Sequence, residues 1–258
     1  MRILFLGDIV GKAGRLAVDA MLPSLVEEHK PDFILANGEN SAAGLGITSD
    51  IADKLFRSGI DGITLGNHAF HRREIGVYLD AHENIIRPDN YPPGTAGKGS
   101  MTLEKNGMKL AVANFCGRVF MSEYDDPFRA ADKFIEGSDV DCKLIDFHAE
   151  ATSEKIAFAY YVEGRVSAVL GTHTHVQTAD EGILEKGTAF ISDVGMCGPQ
   201  NSIIGMDREI ILRRFTTLMP EKFEVASGAS VICGVVIDVQ SDTGRAESIK
   251  RVLIRDIH

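Results

Sequence analysis

Eight side chains that can bind a metal or move a proton stand just after apolar runs: Asp8, Glu39, Asn40, Asn67, His68, His148, His173 and His175. Singly, most have a plain structural explanation. Asp8 serves as a turn or cap residue, Glu39 and Asn40 as a solvated loop pair, and Asn67 beside Gly66 as a left-handed turn. A lone His68 or His148 is more often a hydrogen-bonded core residue than a ligand. His173 and His175 are harder to place without a ligand, because they flank Thr174 at the end of an apolar run. Jointly, five segments that each close on a carboxylate, amide or imidazole form the pattern a metal centre requires. A dinuclear centre needs a carboxylate that reaches both ions, neutral imidazoles, and open positions for water and substrate. Oxygen and nitrogen donors without thiolate suit manganese, iron or zinc.

These side chains can meet only if the runs before them are strands of one architecture. Ile3 to Leu6 predicts a strand ending at Gly7 and Asp8, with a helix from Gly14 to His29. Phe33 to Ala36 predicts a second strand before Asn37, Gly38 and Glu39, and a helix follows from Thr48 to Ser58. Gly62 to Leu65 predicts a third before Gly66 and Asn67. Consecutive strand-loop-helix units imply a mainly parallel sheet, and such sheets bind ligands beyond the carboxyl ends of their strands. Met101 to Glu104 and Met108 to Asn114, around Lys105-Asn106-Gly107, predict a hairpin. Lys143 to Phe147 and Val166 to Leu170 predict strands before His148 and Gly171, joined by a helix from Thr152 to Glu163. Ser230 to Val239 and Glu247 to Ile254 predict a closing hairpin around Ser241 to Gly244. Ser192 to Asp207 is weakly periodic and reads as a loop over one face. With no repeat or linker, residues 1–258 read as a single domain.

The charge balance narrows the partners. Lys and Arg total 27 against 37 Asp and Glu, a formal net charge of -10, which disfavours long nucleic acid. Small phosphorylated ligands stay compatible, because bound cations invert the local potential. Cys116, Cys142, Cys197 and Cys233 form no CxxC pair and read as reduced, buried thiols. The absence of a secretory leader and of a run of ~20 apolar residues predicts a cytoplasmic protein without a membrane partner. Arg118 and Arg129 are candidate phosphate contacts, with surface ion pairing the ordinary alternative. The Ala42 to Gly46 loop offers close backbone approach to a ligand, or simply a flexible turn.

Gly7-Asp8, Gly66-Asn67-His68 and Gly171-Thr172-His173-Thr174-His175, with His148 between, resemble the calcineurin-like metallophosphoesterases. Within them the chain is similar to the YmdB-like branch, through Asn37 to Ala42, Gly117 to Met121, Asp146 to Lys155 and His173 to Asp180. Two positions depart from the broad superfamily. Val10 stands where a ligand histidine is usual, and Glu39, followed by Asn40, replaces a bridging Asp; the YmdB-like branch shares both changes.

The resemblance implies an α/β fold, a four-layer sandwich of two mixed β-sheets flanked by helices. It implies two divalent transition metals per chain, iron or manganese, with zinc an alternative. Asp8, Glu39, Asn40 and His175 would hold the first, Glu39, Asn67, His148 and His173 the second, and His68 would donate a proton to the leaving oxygen. The implied substrate is a 2',3'-cyclic nucleotide, opened at the 2' bond by in-line attack of a metal-bridging hydroxide, and the implied assembly a homo-oligomer, dimer or tetramer. Metal ligands do not choose among esters, so another small phosphate ester, or a nucleotide-binding regulatory protein with little turnover, stays open as an alternative.

Overall fold

A computed structural model describes residues 1–258. In chain order its elements are β1 (Arg2–Leu6), β2 (Asp8–Ile9), α1 (Gly11–His29), β3 (Phe33–Asn37), α2 (Ser49–Arg57), β4 (Gly62–Thr64), α3 (Ile75–Ala81) and β5 (Ile85–Ile86). Next come β6 (Ser100–Lys105), β7 (Met108–Cys116), α4 (Pro127–Glu136), β8 (Lys143–His148), α5 (Thr152–Val162) and β9 (Ala168–Thr172). The chain finishes with β10 (Gly182–Ile183), β11 (Ala189–Ile191), β12 (Met196–Pro199), α6 (Arg208–Thr217), β13 (Ser230–Val239) and β14 (Ala246–Ile257).

Successive residues of β1 serve two different cores. Ile3 and Phe5 join Phe33, Leu35, Val112, Leu144 and Leu170 in one buried cluster, whereas Leu4 and Leu6 join Val18, Leu22, Leu25 and Leu55 in another. A strand buried on both faces must read as a continuous apolar run, as this one does. The same alternation in the second half sends Ile145, Phe147 and Val169 against Phe134 and Phe158, where Phe147 and Phe158 stack with ring centroids 4.1 Å apart. Three cores separate four layers: helices, sheet, sheet, helices.

The first sheet has eight strands in the order β2-β12-β13-β1-β3-β4-β5, with β14 also on β13; the second has six in the order β10-β11-β9-β8-β7-β6. β1, β3, β4 and β5 run parallel, as do β7, β8, β9 and β11, while β13 and β6 run antiparallel to their neighbours. Both sheets are therefore mixed, as the family resemblance implies. Both hairpins form as expected, and Asn106 and Gly107 take the positive φ values (53° and 77°) that a tight hairpin turn needs.

One expectation is corrected. Ser192 to Asp207 is not only a loop: Met196–Pro199 forms β12 and enters the first sheet between β2 and β13. Four residues containing Gly and Pro carry too little alternation to read as a strand. The short helices α3, α4 and α6 are likewise absent from the sequence expectations, although Asp126 and Asp207 cap α4 and α6 by accepting backbone N–H bonds. All four cysteines are buried and free, and no helix is long and apolar enough to cross a membrane.

Candidate metal centre

The carboxyl ends of the parallel strands in both sheets meet along one seam, and all eight predicted residues converge there. Asp8 follows β1, Glu39 and Asn40 follow β3, and Asn67 and His68 follow β4. His148 is the last residue of β8, while His173 and His175 follow β9. Asp8, Glu39 and His148 are fully buried, and Asn40 nearly so.

Glu39 is the hub. Its carboxylate lies 3.1 Å from His148 Nε2 and 3.3 Å from His68 Nδ1, and accepts from the His68 backbone N–H at 2.9 Å and Asn40 Nδ2 at 3.1 Å. On one side of it, His175 Nε2 stands 3.0 Å from Asn40 Nδ2 and 3.8 Å from Asp8 Oδ1. On the other, His148 Nε2 stands 2.9 Å from Asn67 Oδ1 and 3.1 Å from His173 Nδ1. Glu39, His148 and His173 present ligand atoms within 4.8 Å of one another. The structure thus brings Asp8, Asn40 and His175 together on one side of Glu39 and Asn67, His148 and His173 on the other.

Each imidazole is held from behind. His148 Nδ1 bonds Thr172 Oγ1 at 2.8 Å, and that hydroxyl donates to Asp146 at 2.7 Å. His173 Nε2 faces Glu150 at 3.1 Å, and His175 Nδ1 donates to the Ile204 carbonyl at 2.8 Å. With the outer nitrogens engaged, the inner ones are the atoms turned to the seam, the arrangement that orients metal-ligating histidines. Asp8 Oδ1 is buried there without a hydrogen-bond partner, and a buried unpaired carboxylate oxygen is costly unless a cation meets it. These features fit a divalent metal pair.

The electrostatics agree. Burial pushes Asp8 up, which His175 and His148 only partly offset. Burial would also raise Glu39, but His148 and His68 outweigh it and hold that carboxyl well below the usual range. Burial disfavours a charged His148, yet Glu39, Asp8 and Asp146 raise it to about 9. Burial and the neighbouring His148 press His173 down to about 3. Buried acids thus draw positive charge to one locus.

Backbone strain marks the same place. His173 and His175 have φ of 98° and 67°, a region that non-glycine residues enter only when their surroundings impose it. The restraint is Asp193, which accepts from the Thr174 N–H at 3.0 Å, the Thr174 hydroxyl at 2.7 Å and Lys155 Nζ at 2.7 Å. Gly66 is required by space: a Cβ there would lie 2.4 Å from Glu39 Oε2 and 2.5 Å from His148 Nε2.

The structure bears on four sequence readings. Asn40 turns Nδ2 toward Glu39 and His175 and Oδ1 toward His68 Nδ1 at 2.9 Å; a half-turn of the amide, which exchanges atoms of equal size, points Oδ1 at the seam. Arg118 and Arg129 do not line the cleft, and Arg118 instead pairs with Asp126 at 3.6 Å. The guanidinium in the cleft belongs to Arg214. Gly44 and Leu45 of the Ala42 to Gly46 loop do line it, although a Cβ at Gly44 would also strike the Met206 side chain at 2.8 Å. Val10 is fully buried with Met196, Val231 and Cys233, so its side chain belongs to a small core and not to the seam. Asp146 was legible in principle: two residues before His148 in one strand, it shares that residue's face. Glu150, Asp193, Lys155 and Arg214 lacked any such signal.

The sequence matches a model described as "YmdB-like protein" over residues 4–252. It is 51% identical to a 2',3'-cyclic-nucleotide 2'-phosphodiesterase of Bacillus subtilis, across 100% of this chain and 98% of that protein. The fold superposes with a TM-score of 0.94 on a phosphatase from Mycoplasma pneumoniae, at 34% identity over 100% of this chain and 94% of that one. A hypothetical protein from Thermus thermophilus gives the same TM-score of 0.94 at 43% identity, over 99% and 100% of the two chains. The two mixed sheets are those of the metallophosphoesterase fold, and the chain is a member of the YmdB-like family.

Proposed function

We propose that this protein is a dinuclear metal-dependent phosphodiesterase that hydrolyses 2',3'-cyclic nucleotides at the 2' bond. The observation that carries the reading is the convergence of three imidazoles, each engaged on its outer nitrogen, upon the shared Glu39 and the unpartnered Asp8 Oδ1. The name borne by the Bacillus subtilis relative supplies the substrate class. Asp8, Glu39, Asn40 and His175 would hold one cation, and Glu39, Asn67, His148 and His173 the other. Two such cations supply Lewis-acid neutralisation of phosphoryl charge and a water of lowered pKa.

The chain's own residues supply the rest. Breaking the 2' O–P bond leaves a ribose oxygen that must gain a proton. His68 is suited to donate it: Nδ1 is engaged by Asn40 and Glu39, the side chain keeps 27% of its surface exposed, and it lines the cleft, so Nε2 is free to face the substrate. The water oxygen ends on phosphorus and the proton on the 2' oxygen, giving a nucleoside 3'-phosphate. General acid assistance of this kind contributes about 10²- to 10⁴-fold.

The test is a panel of purified esters with manganese or iron. Turnover of 2',3'-cyclic nucleotides to the 3'-phosphate is the expected result. Preference for a simple nucleotide monoester, or release of the 2'-phosphate, would refute the reading.

A further inference from the structure

The cleft at the metal centre encloses about 550 Å³ and has two unlike walls. One is polar and belongs to the seam: Glu39, Asn40, His68, His173 and His175. The other is apolar and comes from a single stretch around α6, chiefly Ile204, Met206, Phe215 and Phe223. Phe215 keeps 71% of its surface exposed, Ile204 51% and Phe223 46%. Large apolar side chains gathered in the open beside a polar centre mark a ligand or partner surface rather than ordinary solvent-facing structure.

This wall is fastened to the seam. Ile204 gives its carbonyl to His175 Nδ1 at 2.8 Å. Backbone pairing of Met206 with Ile203 and with Val225 holds the two ends of the stretch together, and Asp207 caps α6. The distance from the centre to the aromatic rings is therefore set by the fold. Arg214 lies over the Phe223 ring, 5.5 Å from its centroid, and has no carboxylate partner within 4.0 Å. One face of that ring carries a cation, and the residue keeps nearly half of its surface exposed.

We propose that Phe215 and Phe223 form a nucleobase platform: the phosphate of a cyclic nucleotide sits at the seam while its base stacks on this wall. The proposal rests on the phosphodiesterase reading above and names the residues that select a nucleotide over a smaller cyclic ester. A nucleoside cyclic phosphate has one charged end and one flat apolar end, as the cleft has one polar and one apolar wall. Stacking uses a π-face that every base offers, so the platform accepts all four bases and favours the larger purines. Arg214 supplies the wall's charged donor, suited to a carbonyl on the base edge or to a phosphate oxygen.

The test compares adenosine 2',3'-cyclic phosphate with methyl ribofuranoside 2',3'-cyclic phosphate, which keeps the ring diester and lacks the base, using the metal-loaded protein. Phe215→Ala and Phe223→Ala are each expected to raise KM for the nucleotide about tenfold, in line with the loss of one stacking partner. On the baseless ester both should stay within about twofold of the unaltered protein, and Phe223→Trp should restore nucleotide KM. Equal loss on both esters, or an unchanged nucleotide KM, would overturn the platform. Equilibrium binding of adenosine 3'-phosphate separates the two claims. Failure of the unaltered protein to turn over either ester would refute the activity, whereas binding weakened about tenfold by the alanine variants would still uphold the platform, and unweakened binding would overturn it.

Discussion

The proposed ligands that follow strands of the eight-stranded sheet, Asp8, Glu39, Asn40 and Asn67, all offer oxygen; those from the six-stranded sheet, His148, His173 and His175, all offer imidazole nitrogen. The two groups are also supported differently. Every imidazole has a partner behind it, in Thr172, Glu150 or the Ile204 carbonyl, and the strained turn that carries two of them is tied down by Asp193 and Lys155. The oxygens lean on one another and on the opposing imidazoles, and Asp8 Oδ1 has no hydrogen-bond partner. The nitrogen half is thus built in advance, while the oxygen half depends on a cation for its balance. A centre at the seam of two sheets exists only when both halves are in register.

Removing the shared oxygen donor should do most damage. Glu39→Ala would take a ligand from both proposed positions, so metal content should fall toward zero and turnover by about 10⁴-fold or more, as loss of several kcal/mol of charge stabilisation implies. Elemental analysis beside an activity assay checks this, and a variant that keeps both metals would break the proposed division of ligands.

His68 belongs to neither half as a ligand. His68→Ala is expected to lower kcat by about 10²- to 10⁴-fold with metal content unchanged. An unaltered kcat would remove its acid role.

The nitrogen half makes a separate claim on stability. Lys155 and Asp193 are 2% and 1% exposed, and removing one partner of a buried pair leaves the other charge uncompensated, at about 3–5 kcal/mol. Lys155→Met should therefore lower the urea midpoint strongly even in metal-saturated protein; a shift too small to measure would show that the turn is held by something else.

The smallest effects should come from the residues behind the imidazoles. Asp146→Asn or Glu150→Gln should weaken metal binding by about 10- to 100-fold without abolishing it, with the larger change at Asp146. Asp146 is fully buried, and burial, against His148 and Thr172, raises its carboxyl to about 6, whereas the Glu150 side chain is 47% exposed. Metal titration decides, and equal effects would erase the proposed gradient between buried and exposed support.

The same contrast explains what could be seen without coordinates. Strands buried on both faces announce themselves as unbroken apolar runs, so β1, β3, β8 and β13 were readable, as were the polar residues that close or follow β1, β3 and β8. The supports were not. Asp193 lies 38 residues from Lys155 and 19 from Thr174, and no local pattern links them. β12 was hidden because its four residues, Met196 and Cys197 before a Gly-Pro pair, are too few to give periodicity. The apolar wall of α6 was missed because its side chains are exposed, and a helix that turns Leu212 and Phe215 outward lacks the usual inward stripe.

The most direct test of the dinuclear centre is the transition-metal content of protein purified without chelator, measured for the unaltered chain and for Asn40→Ala. Two equivalents per chain, falling to one in the variant, is the expected result. Less than one equivalent in the unaltered protein would contradict the account.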